Sequence, residues 1–115
     1  MKSKTYNLKF RAADRNIFEA IRQGRKKVET RAATTRYKDI KTGDTVILAC
    51  GKEKFKKIIR SVKIFKTISA MLQKYSIKDI NPDITTEEEL QNLYFSFSGY
   101  KEKIKKYGLI AIELA

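Results

Sequence analysis

"GRKKVETR", residues 24–31, decides how this chain is read. Arg25, Lys26, Lys27 and Arg31 crowd around one carboxylate, Glu29, and apolar side chains are sparse. The flanks nevertheless look ordered. Upstream, "DRNIFEAIRQG" (14–24) reads as a helix with Ile17, Phe18 and Ile21 as its apolar stripe. Asp14 is its candidate N-cap, and Gly24 suits the left-handed C-terminal position. Downstream, "KVETR" (27–31) reads as a strand with Glu29 and Arg31 on one face and Val28 and Thr30 on the other. Lys26, in the turn before that strand, can swing toward the Glu29 side. A carboxylate flanked by two cations is held ionised. Spacing alone also allows a wet surface ion pair worth well under ~1 kcal/mol.

Working outward, "TYNLKF" (5–10) is a strand with Tyr6, Leu8 and Phe10 on one face, and "KTGDTVILACG" (41–51) is a Gly-Asp turn followed by a buried strand. "KFKKIIRSVKIFK" (54–66) is a long strand whose alternation slips at Ile58 and Ile59, which predicts a bulge. "TISAMLQKY" (67–75) has helical spacing at Ile68, Met71, Leu72 and Tyr75. Pro82 marks a loop, and Thr86 with Glu89 has the capping-box spacing for a helix over 86–97. Glu87, Glu88 and Glu89 suit that first turn and are expected to face away from any polyanion. "GYKEKIKKYG" (99–108) is a basic turn or helical segment, with Tyr107 expected as a core residue at the start of the final strand. That strand, "LIAIEL" (109–114), is apolar on both faces and therefore central. The pattern predicts a single α+β domain over 1–115: a curled sheet or partly closed barrel of about five or six strands, with two or three helices plugging its ends.

Composition narrows the chemistry. The chain has 115 residues and no histidine, so Ser-His-Asp and Cys-His machinery and His/Cys zinc sites are excluded within it. The single Cys50 forms no internal disulfide and reads as a core thiol. No apolar run approaches the roughly 18 residues a membrane span needs. "MKSKTYNLKF" has no apolar signal core, so the expectation is a cytoplasmic protein without membrane, metal or cofactor. The net charge is +13, and residues 1–66 hold 20 of the 26 Lys and Arg against 6 of the 13 acids. Such asymmetry points to a polyanionic partner. Lys52, Lys54, Lys56, Lys57, Arg60, Lys63 and Lys66, interleaved with Phe55 and Phe65, are the candidate strip for a nucleic-acid backbone. The alternative is a core role for the two phenyl rings and a lysine-guarded strand edge.

"GRKKVETR" resembles the G-x-K-x-x-E-x-R motif of the ASCH domain, part of the PUA-like superfamily. "IKTGDTVIL", "RSVKIFKTISAML" and "FSGYKEKIKKYGLIAIEL" resemble further family stretches in the same order, so the likeness runs from about Tyr6 to Leu114. The resemblance implies a PUA-like small mixed β-barrel with a cleft lined by Lys26, Glu29 and Arg31, and it puts Tyr100 near that cleft. It implies an RNA-binding module, for which the candidate contacts are Lys26, Glu29, Arg31, Lys54, Lys56, Lys57, Arg60 and Tyr100. The partner would be RNA or a nucleotide-containing ligand, within a larger protein complex if the family's coactivator link applies. A second implication is a small hydrolase acting on a modified nucleoside or RNA, with Lys26 and Glu29 as its catalytic pair. Relatives that remove an acyl group from cytidine are thought to use a Lys, a Thr and a Glu. Here Glu29 occupies the threonine position, and Thr30 points to the other strand face.

Overall fold

Period-two and period-3.6 patterning sorts this chain into a five-stranded mixed sheet with a helical layer. A computed structural model describes residues 3–115; Met1 and Lys2, counted in the single-domain and leader expectations, lie outside the described residues. The strands are β1 (Thr5–Phe10), β2 (Val28–Ala32), β3 (Thr45–Cys50), β4 (Glu53–Phe65) and β5 (Leu109–Leu114). The helices are α1 (Arg15–Arg22), α2 (Ile68–Leu72), α3 (Ile77–Ile80), α4 (Glu87–Ser96) and α5 (Tyr100–Tyr107), and a single 3-10 turn at Ala12–Asp14 leads into α1.

The spatial order is β1-β3-β4-β5-β2, with β1 parallel to β3 and every other pairing antiparallel. The sheet curls into a half-barrel. Its two edge strands, β1 and β2, are joined through α1, so the open side of the barrel lies between them. β4 reaches both halves because its register shifts between Ile59 and Ser61, the bulge expected from the adjacent apolar pair. β5 is central and almost wholly buried, as its two apolar faces require.

Two apolar clusters result. Leu8, Phe18, Ile21, Val46, Leu48, Ile59, Ile110 and Ile112 fill the concave side, and Cys50 is buried with them. Val28, Met71, Ile80, Leu90, Tyr94, Ile104 and Leu109 pack the other face of β2 and β5 under the helices.

Several expectations need correction. There are more helices than two or three: α3 is four residues long and too short to show periodicity, and residues 100–107 form a full helix. Tyr107 is the exposed end of that helix, not a core residue at a strand start. Gly108 makes the turn instead, with φ +81°, and a Cβ there would clash with the Phe65 carbonyl oxygen. Asp14 takes the N-cap position of α1 but gives its side chain to Arg11 at 2.8 Å, not to the helix N–H groups. The capping pair at α4 is present, with Glu89 N–H donating to Thr86 Oγ1 at 3.1 Å.

Candidate functional site

The turn before β2 builds the site. Helix α1 ends in a Schellman arrangement, in which the Gly24 N–H donates to the Ile21 carbonyl at 3.1 Å and the Arg25 N–H to the Ala20 carbonyl at 2.9 Å. Gly24 supplies the left-handed conformation, φ +80°. The Lys26 N–H also returns to the Ala20 carbonyl, at 3.1 Å, which turns the Lys26 side chain inward. Lys26 is only 4% exposed, as is Glu29.

Burying two charges is tolerable only when every hydrogen-bonding position is filled. Lys26 Nζ donates to the Val28 carbonyl at 2.7 Å, donates to the Ile80 carbonyl, and lies 3.4 Å from Glu29 Oε1. Two of its N–H groups are held by main-chain carbonyls and the ammonium faces the Glu29 carboxylate, so it serves as an anchor between β2 and α3. Glu29 Oε1 also accepts the Thr30 N–H at 3.0 Å, closing one donor on the free edge of β2. Glu29 Oε2 accepts from Arg31 Nη2 at 3.1 Å. Burial pushes the Glu29 carboxyl up, but Lys26, Arg31 and the Thr30 N–H outweigh it and hold the group below the ordinary carboxylate range. Burial likewise pushes the Lys26 ammonium down, and Glu29 offsets part of that.

Arg31 sits on the same strand face, with its guanidinium 5.3 Å from the Phe10 ring centroid. This contact spans the open side of the half-barrel, from the end of β1 to β2. Thr30 faces the helical layer, where its hydroxyl hydrogen-bonds the Tyr94 phenol.

Around this cluster lies a cavity of about 550 Å³. Its floor is Lys26, Glu29, Thr30 and Arg31; one wall is Phe10, Asn16 and Ile17, and the other is Ile80, Asn81, Ile84, Tyr94 and Phe97. Tyr100 closes it, packed edge-on against Phe97 with ring centroids 5.3 Å apart. Burial pushes the Tyr100 phenol up, and the Ala32 main chain and Arg31 offset part of that. The structure thus brings Lys26, Glu29, Arg31 and Tyr100 together. The wall from α3 and the following loop was not foreseen; Ser76 as a helix cap and the Asn81-Pro82 turn were the only local signals for it.

Lys54, Lys56, Lys57 and Arg60 lie elsewhere. Lys54 and Lys56 are exposed on the outer face of β4. Lys54 pairs with Ala49, which pairs with Lys9 on the cavity rim, so these share one sheet face and link strip to cavity. Lys57, half-buried, alternates to the opposite face. Arg60 stands at the bulge, 3.9 Å from a Glu113 carboxylate oxygen. The aromatic interleaving is absent: Phe65 is buried in the helical layer, and Phe55 packs on Phe18 with centroids 5.0 Å apart. Phe55 packs under α1 and Phe65 under the other helices, so Lys54 and Lys56 share the outer face with the exposed Ile58 and with no aromatic ring of β4.

No helix among the described residues is long and apolar enough to cross a membrane, and no group of three or more Cys, Asp or Glu among them could hold a metal ion. No curated protein matches the chain. Two solved structures from Pyrococcus resemble it closely in fold. One is the crystal structure of hypothetical protein PH0355, with a TM-score of 0.82 and 29% identity over 96% of both chains. The other is the solution structure of protein PF0455 from Pyrococcus furiosus, with a TM-score of 0.71 and 26% identity, covering 98% of this chain and 96% of that one. The ASCH domain model matches residues 14–115. That domain is generally thought to bind RNA. With a PUA-like half-barrel and a family match over nearly its whole length, the chain belongs to the ASCH domain family.

Proposed function

We propose that this domain binds single-stranded RNA, drawing one base into the cavity over β2 while the backbone runs along the lysines of the outer sheet face. The observation that carries this reading is the cavity floor. A buried, hydrogen-bonded ion pair with an arginine beside it makes a rigid polar base under apolar and aromatic walls. An aromatic-walled slot suits a planar heterocycle, and unstacked bases are what proteins read in single-stranded RNA. Phosphates are better met outside, where Lys9, Lys54 and Lys56 share a face. Lys57 and Arg60 would add charge only at the margins. A cytoplasmic location goes with such a ligand.

The hydrolase alternative has less support. Lys26 gives two N–H groups to main-chain carbonyls and faces Glu29 with its charge, and the Thr30 hydroxyl is engaged with Tyr94. The test is fluorescence anisotropy of a labelled single-stranded RNA across a salt series. Affinity should fall linearly in log–log form, with a slope of about −0.7 per phosphate contacted. A residual, salt-insensitive part should vanish when Arg31 is replaced. RNA that fails to bind at low salt would overturn the proposal.

A further inference from the structure

Which cavity group meets the base is decided by counting free donors and acceptors. A carboxylate has about four lone-pair positions. In Glu29 they are taken by Thr30 N–H and Lys26 on Oε1, and by Arg31 Nε at 3.4 Å and Nη2 at 3.1 Å on Oε2. Glu29 therefore has nothing left to offer a ligand. Lys26 gives two N–H groups to main-chain carbonyls and faces Glu29 with its charge.

Arg31 differs. A guanidinium has five N–H donors. Its side-on edge, Nε and Nη2, lies on Glu29, and one flat face lies over Phe10. The end-on fork, Nη1 with the second N–H of Nη2, has no protein partner among the described residues, and Arg31 lines the cavity. Two constraints thus fix the plane of the guanidinium while two parallel donors stay free. Charge at the cavity is close to balanced: Lys9, Arg11, Lys26 and Arg31 stand against Asp14, Glu29 and Asp83. Asp14 is paired with Arg11, and Asp83 accepts from Asn16 at 3.1 Å. In a chain of net charge +13, this is a place for an uncharged ring and not for a phosphate.

We infer that Glu29 is a positioning residue and that Arg31 is the specificity-determining residue, whose free fork takes two adjacent acceptors on a purine edge, the O6 and N7 of guanine. This rests on the RNA-binding reading and refines it. Adenine would turn an amino group toward the fork, and uracil an N–H beside each carbonyl; cytosine alone among the other bases has two adjacent acceptors, O2 and N3, so a cytidine centre that binds as tightly as guanosine would overturn the assignment to guanine.

The test uses the intact domain and a five-nucleotide single-stranded RNA, uridine at four positions and one variable centre. Guanosine and inosine at the centre should bind within about twofold of each other, because inosine keeps both acceptors. 7-Deazaguanosine lacks N7 and should bind about tenfold more weakly, and adenosine at least as weakly. Arg31→Lys should bring all four to nearly equal affinity, with a lower melting temperature because the contacts to Glu29 and Phe10 are lost. The series on the unaltered protein decides the matter even if that variant fails to fold. A loss with inosine and none with 7-deazaguanosine would overturn the inference, because Glu29 would then be reading the amino-bearing edge. Equal affinity for all four centres would also overturn it while leaving RNA binding intact. No binding by any oligonucleotide would instead remove the RNA-binding reading itself.

Discussion

Strands β2 and β4 both carry clustered cations, and they meet water in opposite ways. On β2 and the turn before it, Lys26 and Glu29 are buried, Arg31 is partly so, and each of Lys26 and Arg31 has a carboxylate partner within 3.4 Å. On β4, Lys54 and Lys56 are exposed. The first arrangement is costly to disturb; the second is screened and cheap to alter. A count of charges cannot separate the two, although only the first can discriminate among ligands. On the proposed reading, the net charge of +13 supplies attraction to a polyanion, and the nearly neutral cavity supplies choice.

The largest expected contrast is in stability. Glu29→Ala strands the Lys26 ammonium at 4% exposure, and the loss should be about 3–5 kcal/mol in urea denaturation. Lys54→Ala should stay within about 0.5 kcal/mol of the unaltered protein. Equal losses would break the comparison. Next comes salt dependence. Replacing Lys54 and Lys56 together with Gln should flatten the log–log salt slope of RNA binding by about 1.4, two contacts' worth for a single strand, at unchanged melting temperature. An unchanged slope would show that the outer face does not carry the backbone.

Acid should separate the strands further. Glu29 has a folded pKa below its unfolded value, where a carboxyl lies near about 4.3. The stability from its pairing is therefore complete above that range and lost as pH falls through the lower folded value. Glu29→Gln should remove up to about 1.36 kcal/mol per pH unit from this acid limb, read from melting curves below pH 5. Asp44 will retain part of the limb, because the Lys4 and Lys41 main-chain N–H groups, each at 2.9 Å, hold its carboxyl low in the same way. The smallest effect should be Tyr100→Phe, costing about 0.5–1.5 kcal/mol of RNA affinity if the phenol bonds the ligand, and nothing measurable if it only packs.

Local signals carried most of the fold into the sequence. Gly24 announced the end of α1, the Ile58-Ile59 slip announced the bulge, and Thr86 with Glu89 announced α4. Each depends on neighbours within a few positions. What stayed hidden was non-local. The Ile80 carbonyl that holds Lys26 lies 54 positions away and belongs to a helix of four residues. Phe10, which covers Arg31, read only as an apolar residue of β1. Glu29 was expected among the RNA contacts. Its oxygens are already occupied, which follows from distances and not from spacing.

The most direct test of the account is a titration of the domain with the guanosine-centred RNA in about 1 M salt, where screening acts within about 3 Å and the outer lysines contribute little. The readout is the NMR signal of the Arg31 side-chain N–H groups. The account predicts that this signal, together with those of Tyr100 and Ala32, shifts and saturates while Lys54 and Lys56 stay silent. Shifts confined to Lys54 and Lys56, vanishing with salt, would contradict it.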